Sequence, residues 1–248
     1  MKRKNIPILI TVLAISILLV FSLSSCVTVR LNTIKGSGDI TKQEVDISGA
    51  EKLIFSGLGE VIIEQGEENS LLIEADDNLI EYIRAEVSGD RLTIGFKKGV
   101  VSVIPTETPK FYLTIEKIEN LKLTGAGSIS GEGIDADELV IESSGLGIIE
   151  IEEIDAEELM IEISGAGNVV MSGQAQEQKI KISGLGSYKA EDLISKDAEV
   201  EISGAGKATV YATETLDVNL TGLGSVEYLG DPSVTQKITG PGSVRSVD

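Results

Sequence analysis

Between residues 119 and 247 apolar and polar positions alternate with period two, interrupted at regular intervals by a glycine corner of the form S/T-G-x-G. The corners begin at Ser56, Thr124, Ser144, Ser164, Ser183, Ser203, Thr221 and Thr239; from Thr124 onward the spacings are 20, 20, 19, 20, 18 and 18 residues. One, three and five places before a corner stand apolar residues, for example Ile163, Ile161 and Leu159, or Leu220, Val218 and Leu216. Two places before it the residue is polar: Lys122, Glu142, Glu162, Lys181, Glu201, Asn219 and Lys237. Five places after its first residue come Ile129, Ile149, Val169, Tyr188, Ala208, Val226 and Val244. Period two marks a strand with one buried and one wet face. Each unit therefore reads as strand, glycine corner, strand and polar return.

One such unit cannot bury its apolar face alone, because a two-stranded ribbon is marginal in water. Stacking the units in parallel, about 4.8 Å apart, aligns the inward aliphatics into ladders and pairs the backbone between coils. The pattern predicts an all-β chain: a right-handed parallel β-helix, or β-solenoid, over residues 119–248 with roughly 20-residue coils. The corner glycines are expected to supply φ > 0 in every coil. The x residue runs Ala126, Leu146, Ala166, Leu185, Ala205, Leu223, Pro241. Full coils of 20 residues would interdigitate these large and small side chains, whereas coils of 40 would stack like on like; the shorter coil is preferred. A sandwich of hairpins is the rival all-β architecture.

Residues 36–118 keep the strand pattern but lose the period, and are expected to form an irregular β segment joined to the same stack. Alternating stretches fall at Lys52–Phe55, Glu60–Glu64, Ser70–Glu74, Arg91–Phe96 and Lys110–Ile115. Ser88-Gly89-Asp90 reads as a hairpin turn. Asp76 to Ile83 reads as a helical turn with an acidic cap. Pro105 and Pro109 mark a boundary loop.

The N-terminus differs in kind. Lys2-Arg3-Lys4 precedes an almost wholly apolar run from Ile6 to Leu23, which ends in Leu23-Ser24-Ser25-Cys26. A cationic start, an apolar core and small residues at a boundary make a secretory signal. Ending on the protein's one cysteine resembles the lipobox of bacterial lipoproteins. Residues 1–25 are thus expected to be a lipoprotein signal peptide, Cys26 the lipidated residue, and residues 26–35 a tether. An uncleaved transmembrane anchor is the alternative, since the run reaches the lower end of a bilayer span, but it leaves the position of Cys26 unexplained. The expected location is extracytoplasmic, attached to the bacterial membrane or cell surface through the N-terminal lipid.

Composition narrows the chemistry. After Cys26 the chain carries 18 basic against 40 acidic residues, a net charge of −22. Such a field repels phosphate backbones, so nucleic acid is excluded as a partner. With no histidine, nucleophile systems built on Ser-His or Cys-His and histidine metal sites are excluded. Ser-Gly-Leu-Gly superficially suggests a phosphate loop but lacks the following Lys-Ser/Thr and recurs as a corner. Acid groups such as Asp135/Asp137, Glu152/Glu153 and Asp155/Glu157/Glu158 fit solvated returns; calcium is the cofactor they would suit, through oxygen ligands, though no calcium-binding nonapeptide run is present. A glycosidase or lyase would need such carboxylates beside basic and aromatic residues, and only nine aromatics are scattered along the chain. No catalytic, cofactor-binding or metal-binding residue is assigned.

Several stretches together resemble a known family. They are Gly36-Ser37-Gly38-Asp39, Val45-Asp46-Ile47-Ser48-Gly49, Phe55-Ser56-Gly57-Leu58-Gly59-Glu60-Val61, Leu72-Ile73-Glu74-Ala75-Asp76-Asp77-Asn78-Leu79, Leu92-Thr93-Ile94-Gly95-Phe96 and the repeated corners. Over about residues 36–245 the chain is similar to the bacterial "putative auto-transporter adhesin, head GIN domain" proteins. The resemblance implies an all-β fold of β-helical character and an extracytoplasmic, often lipid-anchored location, and it brings no catalytic residues. The function expected is that of a non-enzymatic surface binding, adhesion or envelope-scaffold module whose partner is a surface glycan or protein. The alternative is a carbohydrate-active enzyme working with surface carboxylates.

Overall fold

The computed structural model describes residues 33–100 and 102–247, so the signal segment, Cys26 and most of the tether lie outside the described residues. The chain is 67% strand and 2% helix and winds into a β-solenoid of about six turns with roughly 20-residue coils, preceded by an irregular segment. Two short strands, β1 (Thr33–Lys35) and β8 (Ser102–Ile104), pair with each other, and the other 17 strands form one sheet.

The repeat begins with β10 (Asn120–Leu123), β11 (Ser128–Glu132) and β12 (Asp135–Ser143). It continues through the long bent strands β13 (Ile148–Ile163), β14 (Asn168–Ile182), β15 (Ser187–Ile202) and β16 (Lys207–Thr221), and ends with β17 (Ser225–Leu229), β18 (Ser233–Thr239) and β19 (Ser243–Ser246). All pair in parallel, one unit on the next. The inward residues form ladders. Ile141, Ile161, Ile180, Val200 and Val218 stack before the corner, and Ile129, Ile149, Val169, Tyr188, Ala208 and Val226 after it; all are buried. The alternation read from the sequence is thus the pleat of the coil wall.

The glycines act through a different constraint from the one expected. The first corner glycine of the middle coils lies outside the left-handed region; among the corners only Gly59, Gly222 and Gly240 have positive φ. Instead, a Cβ on Gly145 would stand 2.0 Å from the Gly125 carbonyl oxygen, and one on Gly165 would stand 2.3 Å from that of Gly145. A Cβ on the second glycine would strike the inward side chain of the coil below: Leu123 under Gly147, Ile163 under Gly186, Ile182 under Gly206. The glycine carbonyls accept hydrogen bonds from the next coil, as in Leu146 N to Gly125 O at 3.2 Å and Leu185 N to Gly165 O at 3.0 Å. Glycine is required so that backbone can stack on backbone through the corner.

The irregular segment closes the other end of the stack, and not in chain order. β3 (Lys52–Phe55) and β4 (Glu60–Gln65) pair in parallel with β10 and β11. Beneath them lie β7 (Arg91–Phe96) and β9 (Lys110–Ile115), which come later in the chain. Antiparallel strands then cover both edges: β6 (Ile83–Ser88) beside β7, and β5 (Ser70–Asp76) with β2 (Ile40–Val45) beside β9. The hairpin expected at Ser88-Gly89-Asp90 joins β6 to β7, with Gly89 at φ 66. A helical turn, α1 (Asp77–Ile80), follows Asp76 at its N-cap, but that side chain makes no capping bond. Asp76 is buried and accepts from Gly38 N, Thr106 N and the Thr106 hydroxyl at 2.6–2.9 Å, while a Cβ on Gly36 would run into its carboxylate. The Gly36–Asp39 and Asp76–Asn78 motifs are therefore two halves of one clasp, completed by Ser37 N to Asn78 Oδ1 at 2.9 Å.

Of the polar residues buried among the ladders, Gln178 and Ser143 have opposite consequences. Gln178 is buried and fully served: the Tyr188 hydroxyl donates to its Oε1 (3.1 Å), and its Nε2 donates to Ser195 Oγ (2.7 Å). Ser143 takes a position occupied by Leu123 below and Ile163 above, and its buried hydroxyl has no partner. An unpartnered buried hydroxyl costs about 1–3 kcal/mol. Ser143→Ala should raise the midpoint of urea unfolding. Tyr188→Phe, which strands the Gln178 carbonyl, should lower stability by about 1–3 kcal/mol in the same measurement.

Candidate binding surface

With the core side chains turned inward, any site must be built from the outward positions. The acids of the returns line up from coil to coil: Glu138, Glu158, Glu177 and Asp197 are register neighbours, as are Asp135 and Asp155. Lys179 bridges two of them, at 2.7 Å from Glu158 and 3.3 Å from Glu177, and the Thr215 hydroxyl donates to Asp197 at 2.5 Å. Glu152 and Glu153 border a separate acidic depression, with Glu153 in a left-handed conformation (φ 55). Among the described residues no three acidic side chains converge closely enough to hold a metal ion.

The basic residues behave differently. Where the cap meets the repeat, a depression of about 680 Å³ is lined by four basic residues, Lys52, Arg91, Lys117 and Lys122, and by four acidic ones, Glu119, Asp137, Glu138 and Glu142. Stack order makes this cluster, because β7 and β3 lie directly under β10 and bring Arg91 and Lys52 to the same wall as Lys122. Lys52 Nζ lies 2.6 Å from Asp90 and 3.5 Å from Glu119; Lys117 lies 2.7 Å from Glu119, and Lys122 2.5 Å from Glu142. Arg91 makes no ion pair among the described residues. No motif marks these residues in the sequence, since they come from three separate strands and one loop.

The ion pairs fix the ionisation of the wall. The Lys117 hydrogen bond holds the Glu119 carboxyl below the usual range, and the Lys52 hydrogen bond does the same for Asp90. Burial works against the charge on Glu142, but hydrogen bonds from Lys122 and Asn120 override it and lower its pKa. Lys52 and Lys117 are raised in turn by Asp90 and Glu119. All three perturbed carboxyls are pushed toward the charged form, the opposite of what a general acid needs. The arrangement suits a charged ligand held by displaceable ion pairs better than proton transfer.

Residues 51–232 match the family described as "putative auto-transporter adhesin, head GIN domain". The chain belongs to this family. Solved structures repeat the fold. A putative adhesin from Bacteroides fragilis is 25% identical, with a TM-score of 0.82 over 86% of this chain and 100% of that one. A protein from Parabacteroides distasonis described as a putative lipid binding protein is also 25% identical, with a TM-score of 0.73 over 87% of this chain and 100% of its own. A putative adhesin from Parabacteroides merdae, at 23% identity and a TM-score of 0.69, covers 87% of this chain and 99% of its own, and shares the fold. No curated protein matches the chain. Among the described residues no helix is long and apolar enough to cross a membrane.

The lowered carboxyls give the acid limb of stability a definite sign. Their unfolded counterparts take up protons at the ordinary values, 3.8 for Asp90 and 4.5 for Glu119, before the folded protein does. Their contribution is therefore complete above about pH 4.5 and lost as pH falls further. The raised lysines contribute below their ordinary value of 10.5 and lose that contribution as pH rises through the folded value. With no histidine to titrate between these limits, thermal midpoints measured across pH should form a plateau from roughly 5 to 9 with a fall on the acid side.

Proposed function

We propose that the protein is a lipid-anchored, extracytoplasmic binding module of adhesin type that performs no catalysis, attached through Cys26 and presenting its solenoid to surface ligands. Family membership and the adhesin descriptions of its structural neighbours support the adhesin reading. The Leu23-Ser24-Ser25-Cys26 boundary supports the anchor: its thiol is the only one in the chain, and a second acyl chain turns marginal membrane binding into firm attachment.

The observation that carries the choice of contact surface is the cluster of Lys52, Arg91, Lys117 and Lys122 in one depression of a body with net charge −22. There four cations stand among four carboxylates of the same depression, so an anionic group, such as a uronate or sulfate of a surface glycan, can be received by exchange of ion pairs. Arg91 can receive it directly, and the lysines can exchange a carboxylate partner for it.

Two measurements test the parts separately. In cells, Cys26→Ser should abolish incorporation of labelled fatty acid and release the protein from the membrane fraction; unchanged labelling would refute the anchor. On arrays of anionic and neutral glycans, the protein should retain anionic glycans in a salt-sensitive manner, and Arg91→Ala with Lys122→Ala should remove most of that binding. Binding unaffected by both substitutions would move the contact elsewhere.

A further inference from the structure

The x residues of the corners point out of the solenoid. Leu58, Leu146, Leu185 and Leu223 are 41%, 73%, 71% and 70% exposed. The 20-residue coil places one x residue on each level, and the intercoil hydrogen bonds Leu146 N to Gly125 O, Ala166 N to Gly145 O and Leu185 N to Gly165 O keep them in line. Because β4 lies under β11, the line runs Leu58, Ala126, Leu146, Ala166, Leu185, Ala205, Leu223, Pro241 along one edge. Seven steps of about 4.8 Å make it roughly 34 Å long, with a leucine knob every second step.

Two further properties set this edge apart. Over the eight corners, taken with the residue that follows each, only Glu60 and Lys207 are charged, and they are opposite in sign. An almost uncharged ridge therefore runs along a body that elsewhere carries nearly all of its 40 acids. Between the knobs Leu58 and Leu146 lies a hollow over Ala126 of about 270 Å³.

We propose that this ridge is the contact between two copies of the chain, packed antiparallel about a two-fold axis. The alternation itself selects the partner. Eight positions that begin with leucine and end with a smaller residue, laid antiparallel on themselves, place Leu58 opposite Pro241, Leu223 opposite Ala126, Leu146 opposite Ala205 and Leu185 opposite Ala166. Every knob meets a small residue, on both copies, as an isologous contact requires. Charge agrees with shape, because two such acidic bodies repel over most of their surfaces but not along this edge. A contact one or two side chains wide falls below about 1,200 Å² of buried surface, the class of weak and reversible encounters.

The test is sedimentation equilibrium of the full chain in density-matched neutral detergent, over a range of protein and salt concentrations. A monomer–dimer equilibrium that tightens as salt screens the acidic bodies is expected. Leu185→Glu, at a site 71% exposed, should weaken it at least about ten-fold by burying an unpaired charge, with the thermal midpoint unchanged. Ala166→Leu is the sharper variant: it adds apolar surface yet should also weaken the dimer, because it sets leucine against the opposing Leu185. A monomer at all concentrations, a dimer indifferent to Leu185→Glu, or a dimer strengthened by Ala166→Leu would each overturn the proposal. So would a chain that stays monomeric but binds phosphatidylcholine vesicles through the same leucines, which would assign the ridge to a lipid surface.

Discussion

The structure depends on how closely one corner can lie on the next. Wherever S/T-G-x-G recurs, the carbonyl of the first glycine occupies the space that a Cβ would need in the coil above, and the second glycine covers an inward side chain of the coil below. Close approach lets the hydrogen-bond ladder continue through the turn, so that the sheet bends without losing register. With the corner fixed, the strand segments beside it stay in register and shifts are confined to the returns, as between Ile151 and Ile154 or Lys189 and Ile194; a one-residue slip beside the corner would turn the aliphatics outward. The long ladders of isoleucine, leucine and valine follow from this constraint.

The surface is arranged around the same repeat. Side chains one coil apart are register neighbours, so like charges in successive returns are forced together, as in the row Glu138, Glu158, Glu177 and Asp197. The chain relieves such rows with bridging cations, Lys179 in that row and Lys207 with Arg245 around Glu227 at the far end. Where cap and repeat meet, cations from separate strands collect among the acids of the same wall. Both the family's adhesin description and the ionisation of that wall fit recognition better than catalysis.

Much of the fold was legible in the sequence because the repeat samples one constraint many times over. The coil length, the inward ladders, the strands at Arg91–Phe96 and Lys110–Ile115 and the turn at Gly89 all follow from local pattern. Stack order did not: nothing near Arg91 states that β7 lies beneath β3, a pairing between segments about 39 residues apart in the chain, with the antiparallel strands β5 and β6 between them in sequence. The conformation of the corner glycines was misread for a related reason, since steric crowding from another coil leaves the same letter as a left-handed turn. Ser143 and Gln178 occupy inward positions that pattern assigns to apolar groups, and only the three-dimensional neighbours separate the satisfied one from the stranded one. The cluster of cations was invisible because its members share no segment. Cys26, the residue expected to carry the lipid, lies outside the described residues.

The corner ridge alternates with a period of two coils, while the fold repeats with a period of one. A solenoid lengthens by duplication of units, and a single extra coil would extend the inward ladders without breaking their parallel pairing. Duplication of the Leu146 coil, for example, would nevertheless break the alternation, so that an edge reversed on itself would set one leucine against another. Gain or loss of coils in pairs leaves that order intact. Addition or loss of coils in pairs, about 40 residues at a time, is thus the change that this edge tolerates wherever it falls.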